Sequence, residues 1–379
     1  MKMTATKMTR RQGLQAAAGL AAAGAPGLGA GLSAAAPSTI GGSALGAPRR
    51  LTRTGGGIQF ATMNSYRVDH KARISKQIGV NYAICGAGLG RVAKSEYEAT
   101  LAKMKADFAS IGIEVAGVES HPVPAEKIKL GEPGRDEEIE NYIAAIKALG
   151  NVGIKVLCYN FMAGLGWYRT QVDRKGRGNS LLTDFDLAAA KAQGLTKWGE
   201  VPEEKIWQNI EYFLKAVIPV AEKAGVMMAL HPDDPPLSPL RGIGRIVTSA
   251  ANYRKIMNLV PSPVNGVTFC QANFIAMGED CVQLVREWGK QKKIFFVHFR
   301  DIAGTREHFT ETFHDEGQTD MVKMLKTYHE VGFKGPMRPD HAPTLDEETN
   351  DRPGYAIQGK IFAIGYMKGV MQGLGLPYA

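Results

Sequence analysis

Cysteine is scarce in this chain and never paired: Cys85, Cys158, Cys270 and Cys281 stand far apart, with no CxxC among them. That spacing argues against a zinc ribbon and against a disulfide framework, so each cysteine has to be judged by its own neighbours. Also missing are a long run of Lys or Arg and a GxGxxG loop after a first strand. The first absence makes nucleic acid a poor partner, and the second weakens a nucleotide-binding open sheet as the fold. "GAGLGR" at 86–91 is glycine-rich without that spacing and reads as an ordinary loop. No apolar stretch is long enough to span a bilayer stably. What is present is ample for a core: 379 residues, 44% of them hydrophobic, with a formal charge of +9 that suits a small anionic substrate better than a polyanion.

The N-terminus has a composition of its own. "KMTRRQGLQAAAGLAAAGAPGLGAGLSAAAP" sets paired arginines, Arg10 and Arg11, before a short Ala/Leu/Gly run and then small residues, a pattern that resembles a twin-arginine export signal. Gly13 stands where a bulkier apolar residue is usual, and cleavage is expected near Ala35 or Ala36. Residues 1–36 hold four basic and no acidic residues, so their removal lowers the charge from +9 to +5 (9 minus 4). This reading makes the export machinery a partner and the periplasm the destination, with no stable membrane anchor. Residues 37–56, rich in Pro, Gly, Ser and Ala, read as a linker, and 57–379 as a single domain. Self-association into a homo-oligomer is left open.

From there short apolar runs alternate with longer amphipathic ones. Eight runs read as strands: 58–63, 80–85, 113–119, 154–160, 226–231, 266–270, 294–299 and 335–339. Helical patterns lie between them, as in "SEYEATLAKMKADFASIG", where Leu101, Met104, Phe108 and Ile111 share a face. Gly112, Gly150 and Gly225 read as C-caps shortly before the next strand. Eight strand-helix units in this length predict an α/β protein of the (β/α)8 TIM-barrel class.

In such a barrel the loops at the C-terminal strand ends converge, so the residues that close each strand are the ones to inspect. The fifth strand ends at His231, the sixth at Cys270, the seventh at His298 and the eighth at Asp340. Side chains alternate between the faces of a strand, so in "FFVHFRD" His298 and Arg300 point into the mouth while Phe295, Val297 and Phe299 pack beneath the helices. Two imidazoles, a thiolate and a carboxylate suit a divalent transition metal such as Mn, Fe, Co or Zn and not Mg or Ca. Taken singly, each of the four has a bland reading as a turn, core or capping residue. Their recurrence on four consecutive strand ends favours a shared ion. Cys85, Cys158 and Cys281 read as structural. Glu119, His121 and Asn160 close strands three and four and are candidates to line the site.

The strings "KLGEPGRDEEIENYIAAIKALGNVGIKVLCYNFM", "ALHPDDPP", "FVHFRD", "FHDEG" and "MRPDHAP" resemble those of the mannonate dehydratase family, metal-dependent members of the xylose-isomerase-like barrels, over roughly residues 110–370. The resemblance implies an Mn or Fe site, His231, Cys270, His298 and Asp340 as ligands, and loss of water from D-mannonate to give 2-keto-3-deoxy-D-gluconate. His341 and Tyr355 fall where the family has its acid and base. Arg300 and Arg169 are candidates to grip the substrate carboxylate, and His314 to bind its hydroxyls. The first strand and "CQANF" depart from the family pattern, and both border the substrate. An isomerase or epimerase on the same barrel, and an exported binding protein without turnover, are the competing readings.

Overall fold

The computed structural model describes residues 56–379; the expected export signal and all but the last residue of the linker lie outside the described residues. Among the described residues twelve strands occur in chain order: β1 (Gln59–Asn64), β2 (Tyr82–Cys85), β3 (Glu114–Glu119), β4 (Val156–Asn160), β5 (Gln171–Lys175), β6 (Leu181–Asp186), β7 (Met227–His231), β8 (Asn265–Cys270), β9 (Ile294–His298), β10 (Ile302–Thr305), β11 (His308–Glu311) and β12 (Pro336–Arg338). Eight of them close into a parallel barrel in the order β1-β12-β9-β8-β7-β4-β3-β2, and these are the eight apolar runs read from the sequence. Each barrel strand is flanked on both faces by protein, so it needs a nearly continuous apolar run rather than alternation.

The helices between them follow from local chemistry. Asp69, Ser249, Asp280 and Asp320 each accept a hydrogen bond from the backbone N–H three residues on and so begin a helix, a cap worth about 1 kcal/mol. Helix Glu203–Ala224 has Glu203 and Glu204 in its first turn and Lys223 in its last, and it ends where Gly225 adopts φ 67°. Its buried face, Ile206, Ile210, Phe213, Leu214, Val217, Ile218 and Ala221, repeats at three and four residues and lies in the core shell between strands and helices. Burying each large apolar side chain there contributes roughly 1.5–3 kcal/mol. Helix Arg135–Asn151 runs past Gly150, which is therefore not its cap. A Cβ on Gly150 would lie 2.5 Å from the carbonyl oxygen of Ala224, so glycine is required there by the close approach of the two helices.

Inside the barrel, Ala61, Ile84, Val156, Cys158, Ala229, Phe295 and Phe296 form a second cluster. Phe295 therefore faces inward and not beneath the helices. The pairing of β8 with β9 shifts register, from Val267 opposite Ile294 to Thr268 opposite Phe296, and this bulge re-aims Phe295. Gly266 makes room for it: a Cβ there would meet the ring at 2.5 Å.

The sequence reading missed a second sheet, antiparallel, in the order β10-β11-β6-β5. β5 and β6 follow barrel strand β4, while β10 and β11 follow β9, so both insertions leave from the C-terminal end of the barrel. Phe185, Ile302 and Phe309 pack it onto Ala272 and Ala276 of the helix after β8. All five residues of β5 are exposed, which is why no apolar signal marks it. Among the described residues no helix is long and apolar enough to cross a membrane.

Candidate active site

His231, Cys270 and His298 are the last residues of β7, β8 and β9, and Asp340 lies two residues beyond β12. Register puts Cys270 and Arg338 both opposite His298. The structure brings these four side chains together: one ligand atom from each lies within 4.8 Å of the others. His231 Nε2 is 3.1 Å from His298 Nδ1, which is 3.3 Å from Asp340 Oδ2, and the Cys270 Sγ is 3.8 Å from the same oxygen.

The donor chemistry fits a divalent transition metal. His231 Nδ1 lies 2.7 Å from the Pro232 carbonyl oxygen, so it carries the proton and leaves the Nε2 lone pair facing the cluster. Burial opposes ionisation of the Cys270 thiol, but Arg300 and His231 overcome it and lower its pKa to about 6, which makes thiolate the neutral-pH form. Burial likewise opposes charge on Asp340, yet Arg338, His341 and His298 hold its carboxyl well below the usual range. Burial and Arg338 act to lower the pKa of His298, but Asp340 and Glu119 outweigh them and raise it to about 10, so a cation entering here displaces a proton. Two other groups of metal-ligating type occur nearby. In Glu119–Cys158–His298, burial and Glu119 keep Cys158 a thiol. In Asp234–Glu311–His341, arginines already neutralise the carboxylates.

Those arginines correct the expectation that Arg300 and Arg169 are free to grip a substrate. Arg300 is 1% exposed and sends Nε to Asp340 Oδ2 at 2.7 Å, one terminal nitrogen to Glu311 at 3.1 Å, and the other to Asp234 and Asn273 at 2.8 and 2.7 Å. Arg169 pairs with Asp234 at 2.5 Å and with Glu311. Their forks hold protein carboxylates in the metal-facing wall. His314 is also placed differently from the expectation: it is fully buried, with Nε2 donating to the Phe299 carbonyl oxygen at 2.7 Å, so it braces β9.

Beside the cluster, His341 and Tyr355 meet, with Nε2 3.1 Å from the phenol oxygen, and His341 Nδ1 is 3.0 Å from Glu311 Oε1. Glu311, the last residue of β11, is thereby a functional residue that sequence reasoning missed. Burial opposes its charge, but Arg169, His341 and Arg300 hold it well below the carboxylate range, so it accepts the Nδ1–H of His341. Burial, with Asp340, raises the Tyr355 phenol above its ordinary value. Lys71 Nζ donates to the Tyr355 carbonyl oxygen at 2.6 Å, and Lys360 Nζ stands 4.4 Å over its ring. A cavity of about 230 Å³ joins these groups; Glu119, Asn160, Trp167 and Lys129 complete its walls. Of the remaining candidates, Glu119 is bound by Arg338, Asn160 faces the cavity, and His121 has both ring nitrogens buried without a partner.

The D-mannonate dehydratase (UxuA) family model matches residues 78–197 and 189–376. Mannonate dehydratase 2 of Halalkalibacterium halodurans is 34% identical over 340 residues, 83% of this chain and 97% of that protein. The mannonate dehydratase of Streptococcus uberis is 34% identical over 321 residues, 78% of this chain and 90% of that protein. The crystal structure of mannonate dehydratase from Streptococcus suis serotype 2 superposes with a TM-score of 0.74 at 28% identity, covering 86% of this chain and 97% of that one. A D-psicose 3-epimerase from Clostridium cellulolyticum H10, at 12% identity and a TM-score of 0.54, shares the barrel fold. By sequence over most of its length, and by a closed barrel that superposes on a solved member, this chain belongs to the D-mannonate dehydratase family.

Proposed function

We propose that this protein is a metal-dependent hydro-lyase that converts D-mannonate to 2-keto-3-deoxy-D-gluconate, with His231, Cys270, His298 and Asp340 as the metal ligands. The observation that carries the reading is that His231, His298 and Asp340 of the four-residue cluster line one small cavity together with the His341–Tyr355 pair. A bound Mn or Fe ion supplies a Lewis acid for a substrate oxygen. The remaining work is proton transfer. Glu311 fixes the proton of His341 on Nδ1 and leaves Nε2 as a base, which removes the proton from C2 of the substrate. Tyr355, whose raised pKa keeps it protonated, gives its proton to the hydroxyl leaving C3, and water departs as the C2–C3 double bond forms. The enol then tautomerises to the 2-keto acid. Across their 3.1 Å contact His341 returns a proton to Tyr355, which restores both groups.

Incubating the metal-loaded protein with D-mannonate and with free sugars tests this. A 2-keto-3-deoxy product is expected; an aldose–ketose shift without it would assign the isomerase reading instead, and ligand binding without any product would assign the binding-protein reading. We also propose, from Arg10, Arg11 and the small-residue run behind them, that the chain is exported folded to the periplasm. Loading the metal before export protects the Cys270 thiolate from oxidation.

A further inference from the structure

A sugar-acid anion entering this cavity meets carboxylates in its wall, Glu119, Asp234 and Asp340. Those carboxylates are neutralised by arginines that are spent in doing so, so a substrate carboxylate needs a further cation that is free to act. The buried arginines that reach these carboxylates are committed: Arg169 and Arg300 to the carboxylates described above, and Arg338 to Glu119 and to Asp340 at 2.7 Å. Lys129, on the short helix Glu126–Leu130, is different. It is 7% exposed and lines the same cavity as His231, His298, Asp340 and Tyr355. Its ammonium has one backbone partner, the Met162 carbonyl oxygen at 3.2 Å, and one carboxylate at 3.2 Å, that of Glu126. The Glu126 side chain is 41% exposed, so water screens that pair, and the same carboxylate also accepts the N–H of Gly164. On the same wall the Trp167 indole N–H is buried and has no partner.

We propose that Lys129 holds the substrate carboxylate, with the Trp167 indole N–H as a second, neutral donor. This rests on the dehydratase reading for the identity of the anion. Lys129 exchanges a screened contact with Glu126 for an unscreened one with the substrate carboxylate inside the cavity, where a charge-assisted hydrogen bond is strongest. Trp167 stands 5.1 Å from His341, ring to ring, so a carboxylate held by its N–H lies beside the proposed base.

The test compares an anionic and a neutral six-carbon ligand on the full-length, metal-loaded protein by calorimetry, which needs no turnover. For Lys129→Gln, D-gluconate affinity is expected to fall about 50-fold while D-mannitol affinity stays within twofold. Lys129→Arg should recover part of the loss, and Trp167→Phe should weaken D-gluconate several-fold. Glu126→Gln keeps an oxygen for the Gly164 N–H but removes the competing charge, and should tighten D-gluconate several-fold. With D-mannonate, Lys129→Gln should raise KM far more than it lowers kcat. Equal losses for both ligands would assign Lys129 a purely structural role, and unchanged D-gluconate binding in Lys129→Gln or Glu126→Gln would overturn the proposal. If the wild type fails to dehydrate D-mannonate, the dehydratase reading falls, while the contrast between the two ligands still decides the role of Lys129.

Discussion

At the scale of single residues, Cys270 and Arg300 show how burial changes the meaning of a side chain. The Cys270 thiol is held ready as a thiolate by Arg300 and His231, so Cys270→Ser should lower the bound metal per chain and reduce kcat at least about 100-fold. Metal analysis and steady-state kinetics read the two effects separately. Arg300, 1% exposed, pairs with three carboxylates, so Arg300→Gln leaves them under-compensated in a buried site and should cost about 3–5 kcal/mol in urea unfolding. A variant of full stability with only a raised KM would return Arg300 to the role of substrate clamp. Lys360 carries a third residue-scale prediction. Burial, with Arg338, lowers its pKa from 10.5 to about 7. Between pH 7 and 10.5 the unfolded chain binds this proton and the folded chain does not, so stability associated with Lys360 rises with pH across that window. The gain in Tm from Lys360→Met should therefore be largest near pH 7 and shrink toward pH 10, and a gap that does not change with pH would refute it.

At the scale of elements, the barrel supplies the four proposed ligands and the small antiparallel sheet supplies the carboxylate that orients the proposed base. β11 ends in Glu311, which Thr183 of β6 holds at 2.7 Å and which in turn faces His341. Glu311→Gln keeps the shape but loses the charge that fixes the Nδ1 proton. We expect kcat to drop about 100-fold with the metal content unchanged, since general-base work contributes on the order of 10²–10⁴. Loss of metal together with activity would mean that the sheet supports the ion and not the base. The barrel strands were legible in the sequence because strands covered on both faces read as unbroken apolar runs, from "IQFATM" to "GPMRP". β5, "QVDRK", could not be read the same way, because a strand exposed along its whole length carries neither an apolar run nor a clean alternation.

At the scale of the whole molecule, folding and ion binding are linked. The four ligands come from strands spread over residues 231–340 and are assembled only in the closed barrel, so a metal that binds the folded chain stabilises it. Stripping with a chelator should lower stability by about 4 kcal/mol where free metal had been ~1,000 times its Kd. The Tm should fall by several degrees and recover with added Mn or Fe, and a Tm indifferent to chelation would argue against the centre. Export has its own test: the periplasmic form should lack about the first 36 residues by mass, and Arg10→Lys with Arg11→Lys should leave it in the cytoplasm. The order of apolar runs was enough to determine the eight-strand barrel, and the residue types at or just past the ends of the last four runs singled out His231, Cys270, His298 and Asp340 as a cluster, because both are local properties of strands. Whether a cation was free or spent was decided only by the tertiary structure. Arg300 draws its partners from positions 66, 40 and 11 residues away, and a guanidinium and a carboxylate meet or miss according to how distant loops close over the barrel.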